Sequence, residues 1–474
     1  MKKIIISIAT IAIMLFSNCN DFLIENPRLG QSDVLILDTY VGLDKATAGV
    51  YAYISDQFWY GADYVLDAEM RSGNGKRHME YESGRAMVPY SWNYNPDGTA
   101  PFWGIGYAAI AASNKIMENL EGKDIGDITA QDLDNLKAEC LFIRALAHFD
   151  LVRLYAQSYT SPTNYGVPYM KSTDPSLLPS RNTVQEVFAS IVEDLLEAEK
   201  IIDPDYERAG VTDTKSVVSL PVIQALLSRA YLYMGKWKEC AEYATKVIND
   251  NSFSMWKAEE LEDVWMEDVP TSGEVIFQMI GASGNSFDAF WEGSPWMTDF
   301  EGYGDIGASI DLVNIYGDDD VRKKLFKSPD DQLFWTTKYN GKNKRMPDVN
   351  NTIILRLSEM YLNRAEANME AGTMIGDTPA NDLNVIISNR NAEELSSVGM
   401  GDIYMERRKE LAFEGHLVFD LSRTGRPLER GDDYTGDPAN KNIPYPNYKW
   451  ALPISKAEMD VNPNLKPQNP GYGD

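Results

Sequence analysis

Two pairs of closely spaced carboxylates are the residues of this sequence that could most directly do chemistry. Asp67 and Glu69 form the first pair, Asp299 and Glu301 the second, and both pairs lie among aromatic and glycine residues. Glycoside hydrolysis uses two carboxyl groups that face each other across the scissile bond, roughly 5–10 Å apart. Neighbouring acids in an acidic loop are usually only solvated, so a glycoside hydrolase is the less favoured interpretation.

Motifs for other kinds of catalysis are missing from the sequence. It contains no His-Glu-x-x-His, no Gly-x-x-x-x-Gly-Lys and no Gly-x-Ser-x-Gly. Residues 302–307 match the dinucleotide pattern, but no apolar strand precedes them and no helix-forming run follows at once, so we interpret them as a loop. The three histidines, His78, His148 and His416, are far apart and lack metal-ligand spacing. We therefore predict no catalytic residue, no metal site and no cofactor.

Aromatic residues concentrate in two stretches without helical periodicity, at about residues 60–100 and 252–350. The chain has 10 Trp, 26 Tyr and 16 Phe, and many in these stretches stand beside Gly, Pro, Asn or Asp. An aromatic face on a loop offers a flat surface for the C–H-lined face of a sugar ring, whereas most aromatic side chains of a large helical protein pack in its core. The candidate stacking residues are Trp92, Tyr94, Trp291, Trp296 and Tyr303, and the candidate hydroxyl partners are Arg71, Asn95 and Asp299. Packing within the loops is the alternative for each of them.

The charge of the chain argues against nucleic acid as a partner. Its 474 residues include 44 Lys and Arg against 71 Asp and Glu, a formal net charge of −27. Such a surface repels phosphate backbones and anionic lipids. Neutral or cationic ligands fit this composition better.

Residues 1–18 have the layout of a bacterial export signal. Two lysines precede an apolar run at residues 4–16, which is shorter than the ~20 residues that a membrane-spanning helix needs. Cys19 stands where a signal peptidase would cleave, which predicts an acylated thiol that ties the mature chain to a membrane. Asn18 replaces the usual Gly or Ala, so a free thiol after an ordinary signal peptide is the alternative. We interpret the polar residues 19–38 as a tether.

Helical periodicity organises most of the remaining body, residues 39–474. Residues 225–247 keep the small-and-large spacing of a tetratricopeptide-like hairpin, with Gly235 at its turn. We therefore predict a mainly all-α fold, a scaffold of tetratricopeptide-like helical hairpins with a loop-rich, aromatic ligand-binding lobe. Its segments are helical hairpins at about 102–250 and 352–425, loop-rich insertions at about 60–100 and 252–350, and an irregular C-terminal segment at 426–474.

The densest run of charged residues lies between residues 406 and 423. Glu406, Glu410 and Glu414 recur at successive turns of a predicted helix. Arg407 and Arg408 stand within reach of them at spacings of three and four residues. We predict an ion-pair network that fixes a helix corner, rather than a catalytic cluster.

The same segment resembles the hallmark of the SusD/RagB family, outer-membrane lipoproteins of Bacteroidetes. The resemblance extends along the whole chain in the family's order. Its other matching segments include Cys19-Asn20-Asp21-Phe22-Leu23, Trp103 to Asn114, Leu151-Val152-Arg153-Leu154-Tyr155, Gly166-Val167-Pro168, Leu355 to Ala367, and Leu452-Pro453-Ile454 with Asn462 to Tyr472.

The resemblance implies a surface-exposed binding protein without catalytic activity. Its partner would be a SusC-like TonB-dependent transporter in the outer membrane, over which it acts as a hinged lid. Such a protein would be lipid-anchored at Cys19 and would face outside. The ligand implied is usually a glycan, and some members bind peptides. Ligand residues vary between members, so none is assigned here from the family.

Overall fold

The computed structural model describes most of the chain from Leu37 onward. The residues that it describes are 37–79, 84–98, 101–123, 125, 128–156, 164–265, 273–280, 304–329, 332–339 and 351–473. Helix accounts for 53% of the structure, and strands are few and short in this part of the chain. The predicted mainly α-helical fold is confirmed.

Helices in the first half of the chain form most of the scaffold. They are α1 Tyr40–Ile54, α2 Asp63–Ser72, α3 Met87–Ser91, α4 Pro101–Leu120, α5 Ala130–Tyr155, α6 Val184–Ile201, α7 Leu220–Tyr233 and α8 Trp237–Ile248. Helices of the second half are α9 Leu261–Val264, α10 Ile310–Asn314, α11 Leu357–Ala371, α12 Pro379–Ser388, α13 Met400–Glu410, α14 Leu417–Arg423 and α15 Lys456–Val461.

Local sequence signals fix where these helices begin and turn. Thr183 and Glu186 form a reciprocal capping box at the start of α6, which satisfies two backbone N–H groups that would otherwise lack partners. Gly235 has a φ of 65° between α7 and α8, a left-handed conformation that glycine adopts without steric cost. The α7–α8 hairpin is thus confirmed, together with its predicted turn residue.

Small buried residues allow the helices to approach closely. Helix α5 packs against α6, α7 against α8, and α8 against α11, which in turn packs against α12. Ala225, Cys240 and Ala244 are fully buried at the α7–α8 contact, and both Cys140 and Cys240 are free thiols in the core. These residues bury their side chains without holding the backbones apart. The pairing confirms the predicted hairpin scaffold.

Short antiparallel strand pairs stand beside this scaffold. They are β1 Gly75–Arg77 with β3 Ile306–Ala308, β2 Val275–Met279 with β6 Thr352–Arg356, and β4 Phe326–Lys327 with β5 Trp335–Thr336. Strand β3 overlaps the glycine-containing residues 302–307 that the sequence indicated as a loop. Both of its edges are hydrogen-bonded: one pairs with β1, and on the other the Ala308 N–H donates to the carbonyl oxygen of Phe334 over 2.7 Å.

The stretch at about 60–100 is more helical than the sequence indicated. Helix α2 was not expected there, because its buried residues include charged ones as well as apolar ones. Tyr64 and Val65 are buried, and so are Glu69 and Arg71. Buried charged side chains obscure the apolar stripe that usually indicates a surface helix.

The predicted ion-pair network exists, but its partners differ from those expected. Glu410 accepts hydrogen bonds from Arg322, Arg356 and Arg390 at 2.6–3.1 Å, and all four side chains are buried. Arg408 instead pairs with Asp311 at 2.6 Å. The expected pairing within one helix was therefore wrong, because Glu410 faces other elements of the core. Asp420 and Arg423 form a further ion pair of this corner, at 2.8 Å.

No helix of the described residues is long and apolar enough to cross a membrane. Cys19 and nearly all of residues 1–38 lie outside the described part of the chain. The predicted signal, lipidation and tether therefore remain predictions.

Candidate functional site

Helix α2 positions the guanidinium group at the centre of the candidate site. Asp63, Asp67 and Arg71 recur every four residues and therefore lie along one face of this helix. The helix ends at Gly73, whose φ of 85° allows the chain to turn away. Arg71 is thus placed in the last turn, where the partial negative charge of the helix end favours a cation.

The carbonyl groups at the end of α2 are held by side chains from distant segments. Arg430 Nη2 donates to the carbonyl oxygens of Arg71 and Tyr90, both at 3.1 Å, and to that of Met70 at 3.4 Å. The indole Nε1 of Trp92 donates to the Arg71 carbonyl, also at 3.1 Å. These bonds satisfy helix-terminal acceptors that α2 itself cannot satisfy. The backbone of Arg71 is therefore fixed from two sides.

The Arg71 side chain is buried but incompletely hydrogen-bonded. Its exposed fraction is 2%, and Nη2 donates to the carbonyl oxygen of Trp450 over 3.0 Å. The guanidinium carbon lies 4.9 Å from the ring centre of Trp92 and 5.5 Å from that of Tyr94. Within the described residues, Nε and Nη1 have no hydrogen-bond partner. A buried donor without a partner costs roughly 1–3 kcal/mol, so these atoms are suited to bind an acceptor.

Two phenol groups beside Arg71 share this property. The hydroxyl groups of Tyr94 and Tyr472 are buried and lack hydrogen-bond partners in the described part of the chain. Burial raises the pKa of both phenols, although the charge of Arg71 acts in the opposite direction, so both groups stay protonated and can donate. We call Arg71, Trp92, Tyr94, Trp450 and Tyr472 the Arg71 cluster.

A carboxyl group with a raised pKa adjoins the Arg71 cluster. Burial, followed by the charge of Asp63, raises the pKa of Asp67 to about 8, while the charge of Arg71 partly opposes this rise. Asp67 is therefore largely protonated at neutral pH and could donate a hydrogen bond. The cluster thus combines neutral and cationic donors with aromatic rings, a composition suited to a hydroxyl-rich ligand.

Trp92 does not form the exposed stacking surface that the sequence indicated. Its exposed fraction is 1%, because the ring of Trp450 meets it edge to face at 4.9 Å and Arg71 lies against its face. It supports Arg71 instead of facing solvent. Arg71 is likewise buried, so in this conformation neither side chain can contact a ligand directly.

Tyr94 and Asn95 form the open side of the cluster. Tyr94 is half-buried, and Asn95 is exposed. The structure therefore brings together three of the predicted residues, Arg71, Trp92 and Tyr94, with Asn95 adjoining them. The other candidates, Trp291, Trp296, Asp299 and Tyr303, lie outside the described residues and remain predictions.

The first carboxylate pair does not have the arrangement of a glycosidase. Residues two positions apart on a helix do not face each other, and Asp67 and Glu69 are both in α2. Glu69 accepts the Gly415 N–H at 2.7 Å and an Asn74 N–H at 3.1 Å, so it joins α2 to the segment before α14. Asp299 and Glu301 lie outside the described residues.

Three residues of the site were missed by reasoning from the sequence. Trp450, Tyr472 and Arg430 come from the C-terminal segment, which is mostly irregular and gives no periodic signal. The one available indication was its aromatic content. Among the described residues, no group of three or more His, Cys, Asp or Glu side chains could hold a metal ion.

Two family models match this chain. The model described as "Starch-binding associating with outer membrane" matches residues 21–232, and the model described as "SusD family" matches residues 325–472. Together the two matches include most of the described residues and all five residues of the Arg71 cluster.

Known relatives match over nearly the full length. The SusD-like protein P2 of Formosa agariphila is 25% identical, with 100% of each chain covered. A SusD superfamily protein from Bacteroides thetaiotaomicron is 28% identical with a TM-score of 0.83, covering 91% of this chain and 100% of its own. A candidate sugar-binding protein from Bacteroides vulgatus is 27% identical with a TM-score of 0.83, covering 92% of this chain and 99% of its own.

Proposed function

The chain belongs to the SusD/RagB family, and from this premise we propose that it is a non-catalytic glycan-binding protein. It captures oligosaccharides and delivers them to a SusC-like TonB-dependent transporter in the outer membrane. A structural relative named as a candidate sugar-binding protein and the starch-binding description of one family model support this ligand class.

The observation that carries the proposal is the set of unpartnered donors in the Arg71 cluster. Arg71 Nε and Nη1 and the hydroxyl groups of Tyr94 and Tyr472 form no hydrogen bonds within the described residues. Hydroxyl groups of a sugar can accept from all of them, which removes the cost of leaving them unpaired. Tyr94 and Tyr472 are the half-buried members, so one of these two side chains must move aside for a ligand to reach Arg71.

Calorimetric titration with a panel of neutral oligosaccharides tests this site. The panel includes α- and β-linked glucans, xylans and mannans. We expect Tyr94→Ala and Arg71→Met to weaken binding of the preferred glycan by tenfold or more. Tyr165→Ala is the matched control, because Tyr165 is 46% exposed and lies outside the cluster. Unchanged affinity in both cluster variants, with normal thermal unfolding, would overturn the site.

The transporter and the membrane anchor are separate parts of the proposal. Export through residues 1–18 and acylation of Cys19 would hold the chain at the outer face of the outer membrane. Metabolic labelling with a palmitate analogue should mark the wild-type chain and not Cys19→Ala. Affinity purification of the labelled protein should retain a TonB-dependent β-barrel, and failure to retain one would refute the partnership while leaving glycan binding intact.

The absence of catalysis is tested with the same glycans. Incubation with the preferred polysaccharide should release no new reducing ends over hours, whereas a glycosidase would release them steadily. Release that disappears in Asp67→Asn would favour a hydrolase instead.

A peptide ligand is the second candidate, and the net charge of −27 is the observation that favours it. Such a surface attracts basic peptides over acidic ones. Titration with a Lys- and Arg-rich peptide mixture and with its acidic counterpart separates the two functions. Binding of basic peptides that salt weakens, together with no glycan binding, would replace the glycan proposal.

A further inference from the structure

A concave surface lies beside the C-terminal end of α2, where Ser72 is one of its lining residues. Helices α13 and α14 and the segment after α14 enclose a cleft of about 540 Å³. Its principal lining residues are Tyr404, Met405, Arg408, Leu417, Leu421 and Arg426, and the acidic residues Asp311 and Glu429 also line it. We call it the α13–α14 cleft. Its size lies within the range of sites that hold small ligands or short peptide segments.

Arg426 is held in place within this cleft without a carboxylate partner. Its guanidinium lies 3.8 Å from the ring centre of Tyr404, and its Nε donates to Thr424 Oγ1 over 2.8 Å. No Asp or Glu side chain of the described residues forms an ion pair with it. Burial lowers the pKa of Arg426, and the charge of Asp420 opposes that effect. Without an ion pair, its guanidinium is available to a carboxylate.

Arg408 is a second fixed cation on the same surface. Its Nε donates to Asn74 Oδ1 over 3.0 Å, and its Nη2 pairs with Asp311 at 2.6 Å. These bonds determine where its guanidinium stands and leave its side chain partly exposed, at 19%. Asp311 therefore neutralises Arg408, which leaves the Arg426 guanidinium as a cation that a carboxylate entering the cleft can pair with.

The floor of the cleft is aliphatic. Leu417 and Leu421 line it, and Met405 is 43% exposed at its edge. The one aromatic ring among the principal lining residues, Tyr404, already has Arg426 against a face. A sugar ring would lack an open aromatic surface here, whereas Leu, Ile or Val side chains would bury apolar area against the floor.

From this combination we infer that the α13–α14 cleft is a docking site for a peptide segment of a partner protein in which acidic residues alternate with aliphatic ones. The carboxylate pairs with Arg426, and the aliphatic side chains pack on Leu417 and Leu421. Because the rest of the surface is strongly acidic, this cleft is a place where an acidic segment can be held in a defined position. The inference does not depend on glycan binding at the Arg71 cluster.

An array of octapeptides tests the inference with the full mature chain. The array combines Asp or Glu with Leu, Ile or Val in every order, and each peptide has a counterpart in which Asn or Gln replaces the acid. We expect retention of acidic-aliphatic peptides and at least tenfold weaker retention of their amide counterparts. Equal retention of both sets, or retention of neither, would overturn the inference.

Variants locate the binding surface. In fluorescence anisotropy with the best retained peptide, Arg426→Gln and Leu417→Asn should each weaken binding at least tenfold, and Arg426→Lys should weaken it less. Lys238→Gln is the matched control, since it removes a positive charge from a side chain that is 72% exposed elsewhere. Thermal unfolding of every variant checks its fold. Displacement of the peptide by a digalacturonate at equal concentration would instead identify an acidic sugar site and overturn the peptide assignment.

Discussion

Trp92 and Arg71 hold each other through both backbone and side chain. The indole N–H of Trp92 donates to the Arg71 carbonyl oxygen over 3.1 Å, while the Arg71 guanidinium lies 4.9 Å from the same ring. One residue thus fixes the end of α2 and also supports the cation that α2 presents. This arrangement gives Trp92 a supporting role, whereas the ligand-contacting role that we propose falls to Tyr94 and Asn95.

Replacing Trp92 should therefore reduce stability more than it changes ligand specificity. Trp92→Ala removes a side chain that is 99% buried, and such a change lowers the free energy of unfolding by roughly 3–5 kcal/mol. Urea denaturation at constant pH measures this loss. Trp237→Ala is the control, because Trp237 is only half-buried and should lose less. An equal loss in the two variants would show that Trp92 is not a core residue.

Replacing Arg430 should affect both the fold and the site. Arg430→Met removes the donors to four carbonyl oxygens, those of Met70, Arg71, Tyr90 and Asn440. Leaving buried acceptors unpaired costs about 1–3 kcal/mol each, so we expect a loss of several kcal/mol in the free energy of unfolding. Glycan affinity should fall as well, since the Arg71 backbone loses a support. Lys137→Met is the comparison: Lys137 and Glu197 are 40% and 38% exposed in their pair, so the loss should be about 0–1 kcal/mol.

The sequence positions of the site residues determined how much of the site could be predicted. Arg71, Trp92 and Tyr94 fall in one aromatic stretch, so local composition was enough to group them. Their burial was not predictable, because it depends on Trp450 and Arg430, which are distant along the chain and stand in an irregular segment. No periodic pattern connects two such segments.

The helical scaffold was easier to predict, because its signals are local in the sequence. Helical hairpins combine local periodicity with a local turn residue, and Gly235 marks one of them. The ion-pair network around Glu410 shows what local spacing cannot predict. Glu410 was recognised as part of a network, yet Arg322, Arg356 and Arg390 come from three other elements. Spacing along one helix gives the residues of such a network but not their partners.

The buried Asp67 carboxyl group should make the free energy of unfolding fall as the pH rises. Its pKa is about 8 in the folded chain against an ordinary value of 3.8, with burial as the main cause. Between these values the folded state binds more protons than the unfolded state, so the free energy of unfolding decreases with increasing pH. Asp63 and Glu69, with pKa values raised to about 6 and about 7 by burial, act in the same direction.

The measurement is urea denaturation at several pH values from 4 to 9. Asp67→Asn cannot titrate, so its stability should depend less on pH over that interval. Asp205→Asn, at an exposed position, should keep the wild-type dependence. An Asp67→Asn chain whose stability keeps the wild-type pH dependence would contradict a protonated Asp67.

Glu410 should be the most sensitive carboxylate of the buried network. It receives hydrogen bonds from three buried arginines, and their charges hold its pKa well below the ordinary range although burial acts in the opposite direction. Glu410→Gln leaves those guanidinium groups with less negative charge among them, and breaking a buried pair in this way costs roughly 3–5 kcal/mol. Chemical denaturation at neutral pH measures the loss. Asp318→Asn removes a carboxylate from an exposed pair with Lys323, where the expected loss is below about 1 kcal/mol. A Glu410→Gln chain as stable as Asp318→Asn would show that the network does not determine the stability of this corner, and that Arg322, Arg356 and Arg390 are compensated mainly by Glu274, Glu406 and Glu414.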